Sequence, residues 1–233
     1  MKSHLLACLL VGAAVFLSAC GTSVIPVAGG RSGWSQEKEY KILADIKVNS
    51  LNVRHVSLKT DLCPSGRKEH LELSGPIGPD SSEVVARILS RLEKCWHTNK
   101  TNFYSPYVFL NSSGGFLLDG YALGQIFKNA EAHTFIADGQ ECASSCAIAF
   151  LGGKFRSMQG DAKIIFHAPY IPSGSSIECR SKSESQAMKG YFASFMGAKD
   201  GDFLFDRTMS FCSRSEGWTI NSDAAKLFGI TAK

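Results

Sequence analysis

The sequence predicts an α/β fold, and three observations carry that prediction. Short, largely apolar runs recur at 107–110, 133–137 and 163–166, stretches with helical spacing of apolar residues lie between them, and the joints are rich in Gly, Ser and Asn. Brief apolar runs suit strands covered on both faces, and such strands alternating with helices build parallel sheets with functional groups on the turns at strand ends.

In chain order, residues 70–75 alternate in the manner of a strand and close on a Gly-Pro turn signal. Asp80 then stands at a helix N-cap position, with Glu83 three residues on as capping-box partner. Val84, Val85, Ile88, Leu89 and Leu92 make one apolar face against Arg87, Arg91 and Lys94, so this helix packs on a sheet. The run at 107–110 leads through the turn at 111–115 into a helix pattern at 117–128. A strand at 133–137 passes through Asp138-Gly139 to Glu141-Cys142-Ala143-Ser144-Ser145-Cys146 and the small, apolar residues 147–151. The strand at 163–166 ends on His167, and the tail from Ser181 reads as mostly helical.

The N-terminus has a different character. A short basic start, an apolar core from Leu5 to Leu17 and the small-residue site Leu17-Ser18-Ala19-Cys20 read as a secretory signal peptide at 1–19, too short for an ordinary membrane span. A cysteine directly after Leu-Ser-Ala resembles the lipobox of bacterial lipoproteins, whose cysteine is lipidated and becomes the mature N-terminus. Gly21, where retained lipoproteins carry Asp, resembles the pattern of those sent to the outer membrane. The expected location is therefore the periplasmic side of that membrane, with 20–40 as lipidated terminus and flexible tether, rich in Gly and Ser, and 41–233 as one domain.

The net charge of +4 is mild and no run of Lys or Arg exceeds two residues, which sets nucleic acid aside as a partner. Of eight cysteines, Cys8 lies in the signal and Cys20 at the anchor; Cys63, Cys95, Cys142, Cys146, Cys179 and Cys212 remain. An exported chain meets an oxidising compartment, so disulfides are expected. Cys142 and Cys146 are one helical turn apart, a spacing that puts Cα atoms about 6 Å from each other, within bridging range. Cys63–Cys95 and Cys179–Cys212 are then the pairs left over. No CxxC pair and no His at zinc-ligand spacing is present, so neither metal nor cofactor is expected.

Three features bear on chemistry. The turn Asn111-Ser112-Ser113-Gly114-Gly115 lets backbone N–H groups approach a ligand. Ser144 and Ser145 head a small-residue helix, where unpaired N–H groups and the helix dipole favour negative charge. His167 stands between a buried run and a turn. Serine, histidine and glycine turn at one edge of a parallel sheet make a constellation suited to acyl transfer.

These blocks, Leu110 to Gly115, Ala143 to Leu151 and Ile165-Phe166-His167-Ala168-Pro169, resemble in order and spacing three blocks of Clp protease proteolytic subunits. The counterparts there are an Asn-Ser-Pro-Gly-Gly turn, an Ala-Ser-Met-Gly-Ala stretch bearing the nucleophile and an Ile-His-Gln-Pro strand end. A looser match, 224–230, resembles a Glu-Ala-X-X-X-Gly-Leu segment near that family's C-terminus. The resemblance implies a ClpP/crotonase-like spiral of β-β-α units. It implies Ser145 as nucleophile, His167 as general base, and the N–H groups of Gly115 and Cys146 as oxyanion hole. Counting back from Gly229 it implies Glu216 as the acidic third member, with Asp206 as alternative. Ser113 replaces the turn proline, Cys146 and Ala147 replace Met-Gly, and the segment between His167 and Glu216 does not resemble the helical handle through which Clp subunits stack.

The expected activity is that of an envelope-anchored serine hydrolase acting on a peptide or protein substrate, with homo-oligomers allowed by the resemblance. The alternatives are an idle ClpP-like module binding an envelope partner and a crotonase-type enzyme acting on acyl thioesters. A Ser-Lys dyad, with Lys163 as the base, fits less well than a Ser-His pair with His167. Residues 170–186, directly after His167, are expected to form a lid or specificity loop.

One prediction follows from the N-terminus alone. Intact mass of the mature protein should exceed that of residues 20–233 by a diacylglyceryl group and an acyl chain, and Cys20→Ser should give uncleaved or soluble protein. A mature chain that starts elsewhere and carries no lipid would refute it.

Overall fold

The computed structural model describes residues 40–61, 63, 65–93, 95, 105–173, 176–213 and 216–231. The expected signal peptide, Cys20 and the tether lie outside them. The described part opens on a hairpin, β1 (Tyr40–Val48) and β2 (Leu51–Lys59), turned at Asn49, which has φ 53°. Sequence pattern did not single out β1 because it is exposed along most of its length and a bulge between Ile42 and Ala44 breaks its alternation. β3 (Arg67–Ser74) pairs antiparallel with β2 and covers the expected strand at 70–75.

Helix α1 (Ser81–Leu89) follows, then β4 (Tyr107–Asn111), α2 (Leu117–Asn129) and β5 (His133–Ile136), close to the expected bounds. The expected capping box at Asp80 is not made. Asp80 has φ 64° and its side chain caps nothing, while Glu83 pairs with Arg87 one turn on. The carboxylate that serves the first turn of α1 comes instead from α2: Asp119 accepts from the N–H and the hydroxyl of Ser82, at 3.0 and 2.9 Å. A tertiary contact thus does what local sequence was expected to do.

The chain continues through β6 (Glu141–Ala143), α3 (Ser145–Leu151), β7 (Phe155–Met158), β8 (Lys163–Phe166), the hairpin β9 (Tyr170–Ser173) and β10 (Ser176–Cys179), α4 (Gln186–Met196), α5 (Ala198–Met209), β11 (Trp218–Asn221) and α6 (Ser222–Leu227). Six strands form one sheet in the order β1-β2-β3-β4-β5-β7, parallel from β3 onward. A second sheet runs β11-β8-β6, with β6 parallel and β11 antiparallel to β8. The tail is mostly helical as expected, except that β11 buries Ile220 against β8 and completes this second sheet. Among the described residues no helix is long and apolar enough to cross a membrane.

Helix α3 is buried at every position and sits between the sheets and the helices. Helix α2 lies against it through glycine: a methyl on Gly120 would meet the Ser145 carbonyl oxygen at 2.6 Å and its Cβ at 2.7 Å, and one on Gly152 would meet the Gly124 carbonyl oxygen at 2.0 Å. Tyr191 of α4 donates to the Ile148 carbonyl at 2.9 Å, and burial raises its phenol pKa, so it stays a donor. Arg156 donates to the Leu151 carbonyl at the C-terminus of α3 and to that of Gly229, placing a cation where the helix dipole is negative.

The bridge Cys142–Cys146 is formed, as its spacing predicted, and so are Cys63–Cys95 and Cys179–Cys212, the pairs left over. Cys63, Glu93 and Cys95 are close enough to hold a metal ion, but the disulfide removes both thiolate donors. The glycine contact between α2 and α3 gives a stability prediction. Gly120→Val should lower unfolding free energy by about 1–3 kcal/mol through overpacking, read by denaturant titration, whereas an unchanged midpoint would show that α2 is free to shift away.

Candidate active site

The site is built where the two sheets meet. β4 ends at Asn111, and the chain then bridges to the second sheet: the Ser112 N–H donates to the Glu141 carbonyl at 2.8 Å and the Ala143 N–H to that of Ser112 at 2.9 Å. Across the second sheet Ser112 lies level with Cys142, Cys142 with Ile164, and Ile164 with Ile220. Continuing each line past its strand end places, side by side, the glycine turn, the two serines, His167 and the loop before β11.

The two serines occupy very different positions. Ser144 is half-buried and forms the bend between β6 and α3, at φ 56° and ψ −123°. A non-glycine residue is strained there, by about 1–3 kcal/mol, and such conformations cluster at active sites. A serine on a sharp strand-to-helix bend presents its hydroxyl outward, as at a nucleophile elbow. The Ser144 N–H donates to the Ile165 carbonyl at 2.9 Å, extending the β6–β8 pairing by one step. Ser145 is the first residue of α3, fully buried, and its hydroxyl has no hydrogen-bond partner. It faces Gly120 of α2.

The glycine turn lies against this bend. Gly114 and Gly115 have φ 87° and 142°, and a methyl on Gly114 would stand 2.6 Å from the Ser144 Cβ and 3.0 Å from the Ser145 nitrogen. Only glycine admits both the conformation and the approach. The Ile77 N–H donates to the Gly114 carbonyl, the Phe116 N–H to the Ile77 carbonyl and the Gly114 N–H to the Ser112 hydroxyl. These bonds fix the turn and leave the exposed Gly115 N–H outside the set. The Ser145 N–H, beside Gly114, belongs to the first turn of α3 and has no i−4 helical carbonyl to bond, since Glu141 lies in β6.

His167 follows β8 and is half-buried. Its Nδ1 lies 2.9 Å from the Ala168 carbonyl oxygen, and its ring packs on that of Tyr170 with centroids 5.5 Å apart and planes 26° from parallel. A carbonyl only accepts, so Nδ1 carries the proton and Nε2 is the free base in the neutral ring.

The acid candidates fare differently. Glu216 is exposed, at the position facing Ala168 when the β8–β11 pairing is continued, and its N–H donates to the Ser213 hydroxyl. The ring bond of His167 goes to Ala168, not to Glu216. Asp206 lies on α5 and pairs with Lys182 at 2.6 Å; that bond and the ammonium charge hold its carboxyl below the usual range. Lys163 is exposed at the opposite end of β8 from His167.

The glycine turn thus lies against the Ser144–Ser145 pair, and strand register sets His167 and Glu216 at the same sheet edge, whereas Asp206 lies on α5 and Lys163 at the other end of β8. Of the two serines Ser145 is fully buried and Ser144 the more accessible. The sequence held the signal: setting Ala143 and Ala147 on the two alanines of the Ala-Ser-Met-Gly-Ala stretch puts Ser144 on its serine with no shift. Tyr170, absent from the motif comparison, is the other residue the sequence reading missed.

No protein-family model and no curated protein matches the sequence. Among solved structures the chain is similar to the 1510-N membrane-bound stomatin-specific protease. A serine-to-alanine mutant of it matches at 14% identity over 69% of this chain and 75% of that one, with a TM-score of 0.52. A lysine-to-alanine mutant in complex with a substrate peptide matches at 14% identity over 69% and 71%, with a TM-score of 0.53. An asparagine-to-aspartate mutant of ClpP1 from Listeria monocytogenes matches at 16% identity over 69% and 86%, with a TM-score of 0.48. At these identities the likeness is one of fold, and the chain has the ClpP-like protease fold.

Proposed function

We propose that this protein is a serine peptidase of the bacterial envelope, held at the periplasmic face of the outer membrane through Cys20, with Ser144 as nucleophile and His167 as general base. The observation that carries the reading is the strained bend at Ser144, set between the glycine turn and His167. A peptide is the substrate class because one of the structurally similar proteases binds a substrate peptide.

In the proposed reaction the Ser144 Oγ attacks the scissile carbonyl carbon while its proton passes to His167 Nε2. The N–H groups of Gly115 and Ser145 take the oxyanion; Ser145 replaces Cys146 in this role because the N–H that serves is that of the residue after the nucleophile. His167 then protonates the leaving amine, and water attacks the acyl-enzyme by the reverse path. The Ala168 carbonyl holds the tautomer and the Tyr170 ring holds the plane of the imidazole. This is the work that an acidic third member performs in a triad.

Ser144→Ala and His167→Ala should each abolish labelling by a fluorophosphonate, since losing one member of a catalytic pair lowers turnover on the order of 10⁴ to 10⁶. Ser145→Ala should leave labelling in place, and mass spectrometry should find the probe on Ser144. Probe on Ser145 would restore the other register, and no probe on either serine of the folded, oxidised protein would favour the idle-module reading.

The orientation of His167 gives a second test, on peptide hydrolysis. Tyr170→Ala should lower kcat with little change in KM, Tyr170→Phe should restore it, and Glu216→Gln should leave kcat within about threefold of the parent, below the loss expected of a triad acid. A large loss in Glu216→Gln would return the third role to that residue.

A further inference from the structure

The disulfide Cys142–Cys146 spans the bend at Ser144 symmetrically, with one half-cystine two residues before it in β6 and the other two residues after it in α3. Both cysteines are fully buried and their Cα atoms are 5.2 Å apart.

The bend needs a clamp. Ser144 adopts a conformation that a non-glycine chain leaves unless its surroundings impose it. No side chain caps the first turn of α3, and the Ser145 hydroxyl in that turn has no partner. Two backbone bonds hold the bend, from the Ser144 N–H to Ile165 at 2.9 Å and from the Ile148 N–H to Ser144 at 3.2 Å. Gly114 and Gly120 pack against it, and the disulfide is the covalent link that ties β6 to α3 across it.

Loop size separates this bridge from the other two. A disulfide stabilises the whole fold mainly by closing a loop in the unfolded chain, and more so for a longer loop. Cys63–Cys95 and Cys179–Cys212 close separations of 32 and 33 residues, whereas Cys142–Cys146 closes one of 4. The short bridge contributes least to global stability by that route, and its effect is local.

We propose that Cys142 and Cys146 are positioning residues: their disulfide holds the Ser144 hydroxyl and the Ser145 N–H in place for attack, and the site is competent only while the bridge is oxidised. The inference rests on Ser144 as nucleophile. Reduction by a dithiol passes two electrons and two protons to the bridge, leaving two thiols and the oxidised dithiol.

The test compares the oxidised chain with the double variant Cys142→Ala/Cys146→Ala and with Cys63→Ala/Cys95→Ala. The readouts are the fluorophosphonate labelling rate, the thermal midpoint and amide exchange at Ser144 and Ile148. The first double variant should stay folded, lose less thermal stability than the second, label at least about tenfold more slowly and exchange faster at both amides. The second should label at the parent rate. Reducing the parent's bridge with a dithiol under mild denaturant should reproduce the slow labelling, and reoxidation should restore it; this arm replaces the double variant if that does not fold. Labelling at the parent rate without the bridge overturns the proposal. If the oxidised parent does not label at all, the nucleophile reading fails, and unchanged exchange at Ser144 and Ile148 then refutes the clamp by itself.

Discussion

The hydrogen bond from the Ser144 N–H to the Ile165 carbonyl is the constraint on which the rest of the site depends. It carries the parallel pairing of β6 and β8 one residue past the end of β6, into a residue whose backbone has already turned toward α3. The bond sets the serine bend level with the end of β8, and therefore with His167. Because Ser112 also pairs with β6, the same alignment brings in the glycine turn. Parallel strands are what make this possible: their ends lie at one edge, so residues far apart in the chain meet without long loops.

Packing around α3 supports that arrangement. A helix buried at all seven positions must be approached closely from several sides, and Gly120, Gly124 and Gly152 let α2 come in at backbone distance. The two inside α2, Gly120 and Gly124, each cost conformational entropy in a helix, roughly 0.5–1 kcal/mol relative to Ala. The fold accepts that cost to bring backbone against backbone. The same close approach buries the Ser145 side chain and leaves Ser144, at the bend, as the more accessible of the two serines.

The electrostatics of the site come from the backbone more than from charged side chains. The Ala168 carbonyl selects the imidazole tautomer, and the glycine turn and the start of α3 bring backbone groups up to the bend at Ser144. Such dipoles are fixed by the fold and need no reorganisation during reaction. The nearest acid candidate, Glu216, stands exposed in a loop, where water screens its charge.

By itself the sequence determined the α/β class, the strands at 70–75, 107–110 and 163–166, the helix at 117–128 and the Cys142–Cys146 pair, because period, turn chemistry and the short cysteine spacing are local properties, whereas the fold settled the pairing of the other four cysteines across separations of 32 and 33 residues. It also put His167 and the glycine turn at strand ends. The two serines are adjacent and alike in sequence, and tertiary structure separated them by burial, since the bend lies at Ser144 and Gly120 presses against Ser145. It decided that Asp119 rather than Asp80 serves the start of α1, and that His167 leans on Ala168 and Tyr170 rather than on an acid. These outcomes turn on contacts between segments distant in sequence or on the exact path of the backbone, which residue order and spacing do not encode.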